Sequence, residues 1–71
     1  MSKAPSLDLI RAFRAVMEQG SLSAAARVLL LSQPTVRRQI ETLETQVGAR
    51  LFTRASNGLS PTPMALDLLP L

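Results

Sequence analysis

Seventy-one residues with no cysteine and no histidine leave room for one domain held by packing alone, and they exclude disulfides, thiolate or imidazole metal sites and Cys- or His-based catalysis. Eight Lys and Arg, seven of them Arg, stand against five Asp and Glu, for a formal net charge of +3. Arginine's planar fork of donors suits phosphate and guanine edges, so the balance leans toward nucleic acid, although the same residues also solvate any small basic domain.

Along the chain, Ser6 is placed to cap a first helix in which Leu7, Ile10, Phe13 and Met17 recur at three and four residues. Asp8 sits at the positive end of its dipole, and Gly20 ends it. Ser21 caps a shorter helix from Leu22 to about Leu29, where Ala24, Ala25 and Ala26 have no bulk to hold a neighbouring helix away. Ser32 then caps a third helix starting at about Gln33, with Pro34 tolerated in the first turn because an N–H there has no partner in any case. At ~100° per residue, Val36, Ile40, Leu43 and Val47 form a narrow apolar stripe, while Pro34, Arg37, Arg38 and Glu41 lie opposite.

Gly48 is placed to end this third helix in a left-handed conformation. Leu51-Phe52-Thr53-Arg54 and Leu59-Ser60 flank Ala55-Ser56-Asn57-Gly58, where Asn-Gly is expected to supply the positive φ angles of a tight hairpin. Thr62 and Pro63 form another cap and first-turn pair, opening a fourth helix with Met64, Leu66, Leu68 and Leu69 that runs into Pro70. The expected fold is mainly α: a winged helix-turn-helix of three helices and a two-stranded β-hairpin over residues 1–61, followed by a fourth helix over 62–71.

The longest unbroken apolar run, Val28 to Leu31, falls far short of the ~20 residues that cross a bilayer. Residues 1–5 carry no apolar core of a signal peptide, and the expectation is a cytoplasmic protein. Catalysis finds no support, because Asp8, Glu18, Glu41, Glu44 and Asp67 fit helix-end or surface roles without an evident pair, and Gly20, Gly48 and Gly58 are too scattered to cradle a phosphate. No cofactor or metal is expected.

The informative stretch is Ser21 to Val47, two helices joined by a short turn, the second with a polar and basic outer face. Gln33 near its start suits adenine edges, Arg37 and Arg38 one turn on suit guanine edges or phosphates, and Thr35 suits a methyl contact or a phosphate. Four-residue spacing of Gln33, Arg37 and Glu41 equally describes a solvated helix face with a weak ion pair; the coincidence of cap, proline, glutamine and two adjacent arginines favours the first reading. Arg54 stands where a strand meets the wing turn, within reach of phosphate or a minor groove, or simply exposed. Ser21, Ser32 and Thr62 are caps first, and their helix N-termini also suit a phosphate.

Gly20-Ser21-Leu22-Ser23-Ala24-Ala25-Ala26, Leu31-Ser32-Gln33-Pro34-Thr35, Arg38-Gln39-Ile40 with Leu43-Glu44, and Gly48 with Leu51-Phe52-Thr53-Arg54 closely resemble the N-terminal domain of LysR-type transcriptional regulators, from Leu7 to about Leu69. The resemblance implies a winged helix-turn-helix that binds partly palindromic promoter DNA as a homodimer, normally followed by an effector-sensing domain that lies outside these residues. It points to Gln33, Pro34, Thr35, Arg37 and Arg38 on the recognition helix, to Ser32 at its cap, to Arg54 at the wing, and to Ser21 and Thr62 near phosphates. It also implies that the fourth helix continues as the dimer seam, so that Met64, Leu68 and Leu69 are its remnant and the dimer of this short chain is weakened; packing of that helix on the core is the alternative.

Departures from the family pattern are Arg37 where serine is frequent, Asn57 where a second wing arginine is frequent, Pro61-Thr62 in place of Leu-Thr, and Ala65 in place of glycine. Two rivals to specific DNA binding remain: a protein-interaction module using Leu30 and the Met64–Leu69 surface, and non-specific nucleoid binding.

Overall fold

The computed structural model describes residues 6–69, with the element order α1 Leu7–Gln19, α2 Leu22–Leu29, α3 Gln33–Val47, β1 Phe52–Ala55, β2 Gly58–Pro61 and α4 Pro63–Asp67. Each helix starts where its cap residue predicts, because capping is a local transaction between a side chain and the next turn. Ser6 Oγ accepts from the Leu9 N–H at 3.3 Å, Ser21 Oγ from Ala24 at 3.1 Å, Ser32 Oγ from Thr35 at 3.2 Å and Thr62 Oγ1 from Ala65 at 3.2 Å. The fourth helix, expected to carry Leu68 and Leu69 up to Pro70, closes at Asp67, where the Leu68 N–H bonds back to the preceding turn; Pro70 itself and residues 1–5 lie outside the described residues.

The buried face of α1 differs from the expected stripe. Leu9, Ala12, Phe13, Ala15 and Val16 are buried, Ile10 and Met17 are half-buried, and Leu7 is exposed. Leu7 lies ~160° around the helix from Leu9, on the far side of the core. Three and four residue spacing of bulky side chains pointed to the wrong arc because two of the five buried positions are alanines, which let α1 approach both α2 and α3.

In α3 the expected stripe holds: Val36, Ile40 and Leu43 are buried and Val47 is half-buried. Around it collect Ala25 and Ala26 of α2, Leu51 and Phe52 at the start of the hairpin, and Ala65 of α4, with the Phe13 and Phe52 rings tilted at 47° and 6.0 Å between centroids. The wing is therefore rooted in the core by its first strand.

Strands β1 and β2 pair antiparallel with Arg54 opposite Leu59 and Ala55 opposite Gly58, leaving Ser56-Asn57 as a two-residue loop. The expected positive φ at Asn57 is absent; in the hairpin that conformation falls on Gly58 alone, at φ 142°. Another surprise is Leu30, which ends α2 in the left-handed region at φ 59° and ψ 39° with 90% of its surface exposed. A β-carbon in that region costs about 1–2 kcal/mol relative to glycine.

The start of α4 is tied to the segment before β1: Thr62 N–H donates to the Leu51 carbonyl at 2.9 Å, and Thr62 Oγ1 donates to the Arg50 carbonyl at 2.7 Å. Among the described residues, no helix is long and apolar enough to cross a membrane.

Candidate nucleic-acid interface

Capping by Ser32 and the proline at the second position of α3 set the start of that helix, and burial of Val36, Ile40 and Leu43 sets its rotation. Those two constraints push Gln33, Pro34, Arg37, Arg38 and Glu41 into solvent, and all five are exposed. Thr35 is half-buried, with its hydroxyl 2.8 Å from Ser32 Oγ. The Arg37–Glu41 ion pair that the spacing allowed does not form: among the described residues, the ion pair is Arg50 with Glu44, at 3.7 Å. Two guanidinium groups thus stand on the exposed face of α3 with no intramolecular acceptor among the described residues, which leaves their donors available to phosphate or base edges.

Between α3 and the hairpin lies an open cleft of about 330 Å³. Gln33, Arg37 and Glu41 line its α3 side, Arg54 its hairpin side, and Ser21 and Ser23 its end at the start of α2. The N–H groups of Leu22 and Ser23 have no hydrogen-bond partner among the described residues, as expected of a first helical turn, and they carry the positive end of the α2 dipole. A cleft with arginines on both walls and a helix N-terminus at its end suits a polyanionic strand.

Of the residues picked out from the sequence, the structure brings Ser21, Gln33, Arg37 and Arg54 together around this cleft. Pro34 and Arg38 occupy the adjoining exposed side of α3, and Ser32 is exposed at its cap. Thr62 stands apart from the cleft lining, its hydroxyl already bonded to Arg50 and Ala65. Met64 and Leu69 are exposed, whereas Leu68 is half-buried and packed against the core; Leu66, at 55% exposure, is also open to solvent.

Glu44 was misread as a surface acid. It lies ~40° around α3 from Ile40, on the edge of the apolar stripe, and its Oε2 accepts the Leu51 N–H at 2.8 Å while facing the Arg50 guanidinium. An acid at a core-edge position was the available signal. Gly58, which also lines the cleft with Arg50, gave no comparable signal because it matters through Gly20, far back in the chain.

The family model described as bacterial regulatory helix-turn-helix protein, lysR family, matches residues 7–66. The regulator AbaB of Streptomyces antibioticus is 47% identical over 62 residues, which is 87% of this chain and 21% of that protein. The transcriptional activator protein LysR of Escherichia coli K12 is 45% identical over 65 residues, 92% of this chain and 21% of its own length. Among solved structures, a CbnR_DBD–DNA complex superposes with a TM-score of 0.86 at 34% identity, covering 92% of this chain and 75% of that one. Oxidized OxyR of Corynebacterium glutamicum superposes with a TM-score of 0.88 at 33% identity, covering 94% of this chain and 22% of its own. The chain spans about a fifth of the length of AbaB and LysR. With its capped recognition-type helix, hairpin wing and a family match over almost all described residues, the chain belongs to the lysR family of bacterial regulatory helix-turn-helix proteins.

Proposed function

We propose that this domain binds double-stranded promoter DNA in a sequence-specific manner, as the DNA-binding part of a bacterial LysR-type transcriptional regulator. The observation that carries the reading is the exposed face Gln33–Pro34–Arg37–Arg38, whose side chains have no hydrogen bond or ion pair among the described residues, on a fold that holds DNA in the CbnR_DBD–DNA complex. In this reading α3 enters the major groove, where Gln33 and Arg38 address base edges and Pro34 and Thr35 supply close apolar contact. Arg37, Arg54 and the α2 N-terminus at Ser21 hold the backbone that runs through the cleft, with the hairpin at the adjacent minor groove. Ser32 and Thr62 act first as caps, and a phosphate contact at either adds to that role.

Residues 1–61 form the DNA-binding unit and 62–71 the start of a linker helix. Met64 and Leu69, with Leu68 at the edge of the core, seed the homodimer seam of the intact regulator, and an effector-sensing part belongs to the remainder of such a regulator. The protein works in the cytoplasm, on the nucleoid, and catalyses no reaction.

Selection of bound duplexes from a random pool at near-physiological salt tests the reading directly. The expected outcome is a defined motif, with a log–log salt slope of ~−0.9 for each phosphate neutralised. Replacing Gln33 or Arg38 by alanine should cost about 1–3 kcal/mol on that motif and relax the column each side chain reads. A shallow slope with no enriched sequence would sink the proposal and favour a protein-docking module; a steep slope with no preferred sequence would mark non-specific binding.

A further inference from the structure

The turn end of the hairpin rests on the corner between α1 and α2. Leu59, next to the closing pair of the hairpin, turns its N–H outward and donates it to the Gly20 carbonyl at 2.8 Å. Gly58 lies over the same carbonyl: a Cβ placed on it would collide with the Gly20 oxygen and stand 3.5 Å from the Ser21 Cβ. Gly58 also has φ 142°, a conformation that L side chains rarely adopt. Two independent constraints, space and backbone angle, therefore require a bare Cα there.

The corner and the hairpin carry the two sides of the cleft. Ser21 follows Gly20 directly and caps α2, while Arg54 stands opposite Leu59 in the hairpin register. The Gly20 carbonyl thus separates the α2 N-terminus from the strand pair that bears Arg54. By contrast α3 takes its position from Val36, Ile40 and Leu43 in the core, with no part in this contact.

We propose that Gly58 is a positioning residue for DNA binding, seating the wing on the Gly20 carbonyl so that Arg54 and the N-terminus of α2 grip one backbone strand at a fixed separation. The inference rests on the duplex-binding reading above. A side chain at position 58 lifts the hairpin tip from the corner, moves Arg54 off its phosphate, and leaves the base-reading face of α3 in place.

The test is a double-mutant cycle on this chain and its selected duplex, comparing Gly58→Ala, Arg54→Ala and the pair, each with a melting curve by circular dichroism. Arg54→Ala and Gly58→Ala should each weaken binding about tenfold, the worth of one charge-assisted hydrogen bond, and each should flatten the salt slope by about one. The pair should be no weaker than either single variant, and the selected motif should stay the same in all three. Additive losses, or a Gly58→Ala chain that melts earlier but binds with unchanged affinity and slope, would overturn the coupling alone. If Gly58→Ala does not fold, an amide-to-ester replacement that removes the Leu59 N–H takes its place in the cycle, with the same expected and contrary results. Absence of duplex binding by the unsubstituted chain overturns both this inference and the function it rests on.

Discussion

Three helix ends in this domain adopt the left-handed backbone, at Gly20, Leu30 and Gly48, and the first two differ in everything else. At the α1–α2 corner the residue is Gly20, at φ 80°, and its carbonyl receives the wing through Leu59. At the α2–α3 corner the residue is Leu30, at φ 59°, with its side chain almost wholly in solvent and no element of the described residues packed over it. The first corner takes the one residue type that carries no penalty there, where another element depends on its carbonyl. The second tolerates a strained leucine because nothing else leans on it, and the turn is closed by ordinary backbone bonds from Leu30 to Arg27 and from Leu31 to Ala26. A left-handed residue therefore marks a helix end; whether it also marks a joint depends on what reaches it.

Breaking the first corner should have the larger effect. Gly20→Val forces a β-branched residue into the left-handed region, and a loss of about 2 kcal/mol of unfolding free energy is expected in urea titration. A Cβ at Gly20 meets nothing within 4 Å, so backbone strain leads the loss; unchanged stability would mean that the corner relaxes freely. Ser21→Ala, one residue on, removes the cap of α2 and should cost about 1 kcal/mol. If Ser21 also meets phosphate, its loss weakens DNA binding per folded molecule as well.

The second corner sharpens the contrast in the opposite direction. Leu30→Gly relieves the strain and is expected to stabilise the fold by about 0.5–1 kcal/mol, after the entropy of the added glycine is subtracted. That corresponds to a melting temperature raised by roughly 2–8 °C for a domain of this size. Affinity for the selected duplex should not change. A destabilised Leu30→Gly chain would show that the exposed leucine has a packing role after all.

The helix boundaries and the outward face of α3 were legible from local signals. Ser6, Ser21, Ser32 and Thr62 each accept from a backbone N–H three residues on, so the side chain that announces the helix is also the one that closes it. Val36, Ile40 and Leu43 repeat on one side of α3 with bulky residues, and the opposite side was readable as soon as that stripe was found. In α1 a periodicity of bulk finds Phe13 but not the rest of the buried face, because Ala12 and Ala15 bury as completely as leucine but weigh little in it. Glu44 slipped for a related reason: its value lies in the Leu51 N–H, seven residues on, which no helical spacing reveals.

The sequence by itself determined where the helices start, where α1 and α3 stop, that a hairpin follows α3, and which side of α3 faces outward, since each depends on residues within about one or two turns of one another. Tertiary structure alone decided how deeply α1 sits, that Glu44 turns toward the hairpin root, that Leu68 packs inward while Leu66 does not, and that Gly58 rests on Gly20. Those outcomes depend on the packing of surfaces separated by tens of residues, where a missing methyl group matters as much as a charge and leaves no local pattern.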